Sequence, residues 1–556
     1  MSSKNSFYPT IFFVLFLTIA TPLLSKEATQ SATSLSLIRN KKDTHTPLQI
    51  NSPSVYGVRP NHPILFKIAA IGNSPLFYHI KNLPAALTLD NETGIIKGML
   101  NEIGTYNMKI RVEHTPCNCV GSKSFIEKDF TIICGEEICL TAPMGFNSWY
   151  CFSESVSQEK ILNVAHAIKE SGLIDYGYSY INIDDCWQGQ RGGEFNGLQA
   201  NNRFPNIKSM VDTIHEMGLK VGIYSTPWIS TYAGFRGSSC DSKDGFDSPN
   251  AIAQNKRLQI DQIYGRYPSL HRLKLDRVGS YTFYANDILQ WAQWGFDFLK
   301  LDWHPNDLET TKTFYTLLRK SGRDIVLSLS NTTPFDKIDK LSQYANLWRT
   351  TKDIQDNWHS ISSITKAHHK WQPFQKAGHF NDPDMLQLGN FGETNSFVVS
   401  SRSTSLNKAQ QISQFSYWAL FSAPLLLSCD IKEMDKFTFS IITNTGLIRV
   451  NQDSLSKQGK LIYSKNGVEI IQKELDDGSV VIGFFNKSPI KKTINFPLKK
   501  YIPFFAKAYQ NLWHDVIDEE LIANLKLQTT FADATPSLSI NGKLAPFQCE
   551  ILQFYK

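Results

Sequence analysis

The chain has 556 residues, which is more than one hydrophobic core organises, so we expect two to four domains. Hydrophobic residues make up 42% of it and charged residues 19%, a balance that excludes a disordered protein. The formal net charge of +6 is spread over short Lys pairs such as Lys491-Lys492, without a basic stripe that interleaves aromatic residues, and this argues against a nucleic-acid partner.

The first residues predict a secretory signal. One Lys precedes the apolar run of "MSSKNSFYPTIFFVLFLTIATPLLSKEATQ", and we expect cleavage near Ser25, so that residues 1–25 form the signal peptide. The run is short for a membrane span, which makes an uncleaved anchor the less favoured alternative. Ser25 stands where a lipoprotein signal carries Cys. The sequence therefore predicts an exported protein, periplasmic or secreted, without stable membrane insertion after cleavage.

The nine cysteines are sparse for a chain of this size, so disulfides are not expected to be its framework. Cys134 and Cys139 in "CGEEIC" are placed to close a small disulfide ring, with Cys117 and Cys119 close by in the sequence. No CxxC pair with a matching His or Cys pair is present, so we expect no zinc site.

Residues 49–135 have the pattern of a small β-sandwich, because short strands are punctuated by Asn, Gly and Pro, as in "LTLDNETGIIKG". The stretch resembles the immunoglobulin-like modules that precede catalytic domains in bacterial carbohydrate enzymes. Such a module is a spacer or, less commonly, a sugar-binding site. At the other end, residues 450–556 return to alternation of apolar and polar residues and predict an antiparallel β-sandwich.

Residues 140–449 alternate short apolar strands with amphipathic helices, which predicts parallel βα units and an α/β fold. Eight units over this length match a (β/α)8 TIM barrel. Two of the helices are expected at "QEKILNVAHAIKESGL" and "LETTKTFYTLLRKSG". The predicted strands lie in "MGFNSW", "YSYINIDDCW", "LKVGIYST", "FDFLKLDW", "DIVLSLSN", "ANLWRTT", "GHFNDPDM" and "PLLLSCD".

Nearly every predicted strand ends in polar or aromatic residues, as expected of an active site at the mouth of a barrel. Cleavage of an acetal bond needs a proton donor and an anion, and two carboxyl groups supply both. Asp302 ends the fourth strand and Asp353 follows the sixth, so their side chains can face one substrate carbon. The alternative for Asp353 is a helix N-cap, and for "FNDPDM" a turn built by Asp and Pro.

The motifs "MGFNSW", "NIDDCW", "FLKLDW", "WRTTKDIQDNW", "HFNDPDML" and "NQD" together resemble those of glycoside hydrolase family 27, over residues 140–460. That family contains the α-galactosidases (melibiases) and the α-N-acetylgalactosaminidases. The resemblance implies Asp302 as the nucleophile and Asp353 as the acid/base. It implies contacts with the sugar from the aromatic walls Trp149 and Tyr224 and from the polar residues Asp184, Asp185, Lys300, Ser330, Arg349 and Asp384.

The resemblance also implies a retaining mechanism without a metal or organic cofactor. Lys300 lies two residues before Asp302 and points to the same face of the strand, so we expect its ammonium to keep that carboxylate ionised. Asp353 must hold a proton at the first step, so we expect surroundings that raise its pKa relative to that of Asp302.

The sequence departs from the family pattern at three places. His304 and Tyr232 stand where many relatives carry a disulfide pair, which suggests a lost disulfide. Ser330 and Thr333 stand where galactosidases have larger residues, and small residues there resemble the N-acetylgalactosaminidase pattern. Residues 238–278 form an insert that is either a wall of the leaving-group subsite or a surface elaboration packed on the N-terminal module.

The sequence thus predicts a retaining exo-acting glycosidase that removes terminal α-D-galactosyl residues from glycans. The alternatives are an α-N-acetylgalactosaminidase or a β-L-arabinopyranosidase with the same two aspartates, or an inactive carbohydrate-binding protein. The oligomeric state and the glycan that leaves are left open by the sequence.

Overall fold

The computed structural model describes residues 47–114, 125–246, 275–391, 402–498, 500–502, 508–514, 521, 525–532 and 535–556. Three predictions fall outside these residues: the signal peptide, any pairing of Cys117 or Cys119, and the central part of the insert predicted at 238–278.

The first domain is a β-sandwich. A four-stranded sheet of order β2-β9-β8-β5 faces a three-stranded sheet of order β3-β7-β6, and β1 pairs with β4. Phe66 and Phe130 stack at 4.9 Å between their ring centroids in the core between the sheets. The strands are β1 (Gln49–Ile50), β2 (Val55–Val58), β3 (Pro63–Lys67), β4 (Ala70–Ile71), β5 (Leu76–Lys81), β6 (Leu87–Leu89), β7 (Ile95–Met99), β8 (Gly104–His114) and β9 (Phe125–Cys134).

The central domain is a barrel of eight parallel strands in the order β20-β19-β18-β17-β14-β11-β10-β23. A backbone hydrogen bond of 2.9 Å from Leu386 N to Leu426 O brings the two ends of this sheet together. The barrel strands are β10 (Met144–Asn147), β11 (Tyr180–Asn182), β14 (Lys220–Ser225), β17 (Phe298–Asp302), β18 (Val326–Ser330), β19 (Leu347–Arg349), β20 (Phe380–Asp382) and β23 (Leu425–Leu427). All eight lie in the predicted segments, and the TIM-barrel prediction is confirmed.

Helices cover the outside of the barrel, which is why its strands are nearly continuous apolar runs. The two helices predicted from the sequence are present at Gln158–Ser171 and Leu308–Lys320, and Ser157 caps the first of them by accepting a hydrogen bond from Lys160 N. The helices are α1 (Trp149–Phe152), α2 (Gln158–Ser171), α3 (Ile207–Glu216), α4 (Tyr284–Trp294), α5 (Leu308–Lys320), α6 (Ile338–Leu341), α7 (Trp358–His368), α8 (Lys408–Phe421), α9 (Lys436–Ile442) and α10 (Thr445–Asn451).

Short antiparallel pairs lie in the loops of the barrel. They are β12 (Gln188–Gly192) with β13 (Gly197–Ala200), β15 (Ser239–Cys240) with β16 (Tyr281–Thr282), and β21 (Asn390–Phe391) with β22 (Arg402–Ser403). The pair of β15 and β16 joins the two ends of the insert, so the insert leaves and rejoins the barrel at one place.

The last domain is a β-sandwich of a five-stranded sheet, order β24-β25-β26-β31-β28, and a three-stranded sheet, order β27-β30-β29. Phe484, Phe496 and Ile540 are buried in its core. Its strands are β24 (Lys460–Lys465), β25 (Val468–Glu474), β26 (Val480–Asn486), β27 (Lys492–Pro497), β28 (Ala508–Asn511), β29 (Lys526–Ala532), β30 (Thr535–Leu544) and β31 (Cys549–Tyr555). The predicted flanking β domains are therefore both present.

The first domain contacts the barrel at the amino ends of the barrel strands. Arg59 Nε lies 2.6 Å from Asp324 Oδ1, just before β18, and its guanidinium also donates to the carbonyls of Arg319 and Arg323. Nζ of Lys220, at the start of β14, donates to Tyr56 Oη at 3.2 Å. The first domain therefore does not cover the carboxyl ends of the strands.

Cys134 and Cys139 are both thiols, so the disulfide ring considered for them is not formed. Cys139 instead donates to the carbonyl of Thr141. The longest helices in the described ranges have 14 residues, and none of them meets the length and hydropathy of a membrane span.

Candidate active site

The carboxyl ends of the barrel strands bring the predicted site residues together at one mouth. Each of these residues lies among the last three residues of a strand or follows the strand within a few positions. They are Trp149 after β10, Asp184 and Asp185 after β11, Tyr224 in β14, Lys300 and Asp302 in β17, Ser330 in β18, Arg349 and Asp353 at and after β19, and Asp384 after β20.

Asp302 is a buried carboxyl group held on one side only. Its Oδ2 accepts a hydrogen bond of 2.9 Å from the phenol of Tyr224, whereas its Oδ1 is buried and has no hydrogen-bond partner in the described structure. Burial raises the pKa of Asp302 to about 7, although Lys300 lowers it. An orphaned buried carboxylate oxygen is expected where a substrate atom is to be met.

Lys300 forms a buried ion pair with Asp184, at 2.7 Å from Nζ to Oδ2. The same oxygen accepts a hydrogen bond from Asn147 Nδ2 at 2.9 Å, and Asp184 N donates to Ser148 Oγ. Burial lowers the pKa of Lys300, but the carboxylates of Asp184 and Asp302 outweigh it and leave the pKa above its usual value. Lys300 is therefore a cation beside two acidic groups.

The expectation that Lys300 keeps Asp302 ionised is met only in part, because Lys300 lowers the pKa of Asp302 but burial raises it more. The ammonium is bonded to Asp184, so its effect on Asp302 acts over a longer distance, while the side chain of Asp302 is almost completely removed from water. Desolvation of the charged form exceeds the attraction of the cation, and the pKa of Asp302 lies above its ordinary value.

Asp185 is fixed by backbone donors. Its Oδ2 accepts from Ala233 N at 2.8 Å, in the loop after β14, and its Oδ1 accepts from Cys186 N at 2.7 Å. Burial raises the pKa of Asp185 to about 6, with the hydrogen bonds opposing it. Asp185 thereby ties the loop after β14 to the end of β11.

Arg349 joins the other two carboxyl groups of the site. Its Nη2 lies 2.6 Å from Asp384 Oδ2 and 3.2 Å from Asp353 Oδ1. Burial raises the pKa of Asp384 to about 6, while Arg349 lowers it. Asp384 has a left-handed backbone with φ of 83°, a conformation that costs energy in a residue with a side chain and is common at functional sites.

Asp353 lies at the rim. Its side chain is 62% exposed, in contrast to the other carboxyl groups at the mouth. The negative charge of Asp353 also raises the pKa of Asp302, although its effect is smaller than those of burial and of Lys300. The two carboxyl groups predicted to act together thus interact across the mouth of the barrel.

Ser330, Thr333, Trp149 and His304 are the remaining residues that the sequence singled out at the strand ends. Ser330 is buried and pairs directly with Asp302 in the register of β17 and β18. Thr333 Oγ1 donates to Asn306 Oδ1 at 2.8 Å. Trp149 is half-buried at the start of α1, where its backbone N–H donates to Asn147 Oδ1. His304 is bonded through Nδ1 to the carbonyl of Asn331 at 3.1 Å.

Two residues at the mouth were not assigned from the sequence. Tyr150 donates from its phenol to the carbonyl of Ile354 at 2.9 Å, next to Asp353. Asn147 lies inside the quoted motif "MGFNSW" and orients Asp184. A motif match points to such neighbours, but their partners are distant in sequence, so spacing alone gives no role for them.

A TIM barrel whose strand ends hold carboxyl groups around one mouth has the groups that glycoside hydrolysis requires. The profile of the family described as Alpha galactosidase A matches residues 147–264 and 274–453, and the chain belongs to this family. The resemblance to the α-galactosidase family predicted from the motifs is thus confirmed.

The known relatives include two activities. An alpha-galactosidase of Cyamopsis tetragonoloba is 34% identical over 360 residues, which cover 64% of this chain and 74% of the relative. An alpha-N-acetylgalactosaminidase of Gallus gallus is 30% identical over 425 residues, covering 70% and 90%. A crystal structure of a candidate alpha-galactosidase/melibiase from Bacteroides fragilis aligns with a TM-score of 0.75 and 27% identity over 95% of this chain and 100% of the other.

Proposed function

We propose that this protein is a retaining, exo-acting α-galactosidase that hydrolyses terminal α-D-galactosyl residues of oligo- or polysaccharides. The observation that supports this most is the pair Asp302 and Asp353, at the carboxyl ends of two strands of a family barrel, where the charge of Asp353 raises the pKa of Asp302. One carboxyl group is buried and one is exposed, which suits a nucleophile and a group that exchanges protons with water.

In the first step, the carboxylate of Asp302 attacks the anomeric carbon. The bond from that carbon to the glycosidic oxygen breaks, and Asp353 donates its proton to the departing oxygen. The product is a galactosyl ester on Asp302. Retaining enzymes of this kind hold their two carboxyl groups about 5–5.5 Å apart.

In the second step, the now ionised Asp353 takes a proton from water while the water oxygen attacks the anomeric carbon. The ester bond to Asp302 breaks, and galactose leaves with the same configuration that it had in the substrate. Asp353 regains its proton, and Tyr224 donates a hydrogen bond to the carboxylate that is released.

The remaining residues are proposed to hold the sugar. Asp184, Asp185 and Lys300 offer charged hydrogen-bond partners for the sugar hydroxyls. The ion pair of Arg349 and Asp384, at the ends of β19 and β20, offers further charged partners. Trp149 and Tyr224 provide apolar faces for the ring. Arg349 Nε and Asp302 Oδ1 are buried without a hydrogen-bond partner in the described structure, which leaves both for the substrate.

The test is hydrolysis of p-nitrophenyl α-galactoside by the wild-type chain and by Asp302→Ala. We expect turnover by the wild type, and loss of at least about 10³-fold in kcat for the variant, with Asp212→Ala, on an exposed helix face, as the unaffected control. NMR of the first-formed sugar is expected to show α-galactose. The β-anomer would exclude the retaining mechanism.

A second candidate is α-N-acetylgalactosaminidase activity. Ser330 is small and buried directly beside Asp302, and small residues at this place leave room for an N-acetyl group. Comparison of kcat/KM for p-nitrophenyl α-galactoside and its N-acetyl analogue decides between the two. Turnover of the N-acetyl analogue alone would replace the first proposal by the second. Absence of turnover on both, with binding retained, would indicate a carbohydrate-binding protein.

We further propose that the protein is exported and that its partners are glycans with α-galactosyl ends. The apolar N-terminal run supports export, and the composition gives no support to a nucleic-acid partner. Expression of the full chain followed by N-terminal sequencing of the mature protein tests the cleavage expected near Ser25.

A further inference from the structure

The loop that carries Asp353 is fixed at an inner point by the site itself. Ile354 is buried, its N–H donates to Asp384 Oδ2 at 2.8 Å, and its carbonyl accepts from the phenol of Tyr150 at 2.9 Å. These bonds hold the backbone immediately after Asp353 but leave the rest of the loop, up to the N-cap of α7 at Asn357, to be held from elsewhere.

The outer point of the same loop is the carboxylate of Asp356. It accepts hydrogen bonds from Arg402 Nη1 and Thr404 Oγ1, both at 2.5 Å, and from the backbone N–H of Ser405 at 3.0 and 3.1 Å. Ser405 Oγ donates in turn to the carbonyl of Asp356. The side chain of Asp356 is only 8% exposed, because these partners cover it, whereas the side chain of Arg402 is 49% exposed.

The segment that Asp356 binds is itself held by further hydrogen bonds. Residues 402–406 lead into α8, whose residues are buried on nearly every side, and Asn407 and Gln410 form a reciprocal cap at its start. Thr404 N donates to the carbonyl of Gly389 at 2.8 Å, and the carbonyl of Leu406 accepts from Gln411. Asp356 therefore links the Asp353 loop to the frame of the barrel.

Asp353 itself is weakly held. Arg349 lies 3.2 Å from it but 2.6 Å from Asp384, so the guanidinium is bonded mainly to Asp384. A mostly exposed carboxyl group with one long contact depends on its backbone for its position. A proton donor must lie within hydrogen-bond reach of the glycosidic oxygen, and a misplacement of about 1 Å costs on the order of 10²-fold in rate.

We infer that Asp356 is a positioning residue that holds Asp353 where it can protonate the glycosidic oxygen, through the four hydrogen bonds that its carboxylate accepts from Arg402, Thr404 and Ser405. This inference rests on the proposed acid/base function of Asp353. Loss of Asp356 leaves the nucleophile and the sugar contacts in place and weakens proton donation alone. The effect therefore depends on how much the leaving group needs a proton.

The test compares kcat/KM of wild type, Asp356→Ala and Asp353→Ala on 2,4-dinitrophenyl, p-nitrophenyl and methyl α-galactosides. For Asp356→Ala we expect a loss of about 10- to 100-fold on the methyl galactoside and less than about 3-fold on the dinitrophenyl galactoside, whose leaving group departs without a proton. Asp353→Ala is expected to show the same dependence more strongly. Thr404→Val keeps the side-chain size and removes the bond to Asp356, together with the contacts of the hydroxyl to Gln387 O and Leu406 N. It is expected to show the same dependence more weakly, and it replaces Asp356→Ala in the test if that variant does not fold.

The control is Asp324→Ala, which removes a comparable loop-fixing carboxylate at the opposite end of the barrel. It is expected to lower Tm without any dependence on the leaving group. The positioning role of Asp356 is overturned if Asp356→Ala and Thr404→Val lose activity equally on all three substrates while Asp353→Ala still depends on the leaving group. The proposed acid/base function of Asp353 stands in that case. Absence of the dependence in Asp353→Ala overturns the proposed acid/base function instead.

Discussion

The phenol of Tyr224 donates a 2.9 Å hydrogen bond to Oδ2 of Asp302, from the neighbouring strand of the barrel. The bond favours the charged form of a carboxyl group whose pKa burial raises to about 7. Tyr224 thus acts on the ionisation of the proposed nucleophile, in addition to the wall of the pocket that the sequence predicted for it.

Tyr224→Phe is expected to move the acid limb of the kcat/KM profile to higher pH by about 0.5–1 unit. The nucleophile must be ionised, so activity falls as the pH drops below the pKa of Asp302, and loss of the donor raises that pKa further. The measurement is kcat/KM for p-nitrophenyl α-galactoside between pH 4 and 9, which reports the free enzyme. Tyr178→Phe is the control, because Tyr178 is equally buried but donates to the carbonyl of Ile442. An unshifted limb in Tyr224→Phe would show that this bond does not tune the nucleophile.

Asp302→Asn is expected to raise the free energy of unfolding at pH 8 by on the order of 2 kcal/mol and to change it little at pH 4. The pKa of Asp302 is about 7 in the folded protein and about 3.9 in an unfolded chain. The buried charge of Asp302 therefore lowers the free energy of unfolding fully above pH 7 and not below about pH 4. Urea unfolding at the two pH values measures this. Asp212→Asn, on an exposed helix face, should show no gain at either pH; a destabilised Asp302→Asn at pH 8 would contradict the burial argument.

Lys300→Met is expected to lower the free energy of unfolding by about 3 kcal/mol at pH 7, because it leaves the buried carboxylate of Asp184 without its cation. Thermal unfolding measures the loss. Lys208→Met removes an exposed lysine that also pairs with an aspartate and should cost less than about 1 kcal/mol. Similar losses for both variants would mean that the Lys300–Asp184 pair is not the buried interaction described above.

Arg59→Ala is expected to lower the free energy of unfolding by about 3 kcal/mol while kcat and KM at 25 °C stay unchanged. Arg59 binds Asp324 and two carbonyls at the end of the barrel away from the mouth. Its loss therefore weakens the contact between the first domain and the barrel and leaves the active site unchanged. Tm and steady-state kinetics are compared with Arg111→Ala, a more exposed arginine of the same domain. A changed KM would show that the first domain reaches the substrate.

The barrel was predictable because its strands are buried on both faces and therefore stand out as short apolar runs between amphipathic helices. "FDFLKLDW" became β17 from Phe298 to Asp302, with the polar end at the mouth as expected. That Cys134 and Cys139 remain thiols was not predictable in this way, since disulfide formation depends on the distance between the two sulfur atoms and not on their spacing along the chain.

The sequence alone determined that Lys300 and Asp302 lie on one face of their strand, and that Asp384 follows the end of another strand, because strand direction and the alternation of side chains can be read from the residue pattern. Only the tertiary structure decided their charges and partners. Lys300 binds Asp184, 116 residues away, rather than holding Asp302, and Asp356 reaches 49 residues along the chain to Ser405. The pKa of a side chain and the position of a loop depend on burial and on contacts between distant segments. The periodicity of residues along the chain predicts neither the burial nor these contacts.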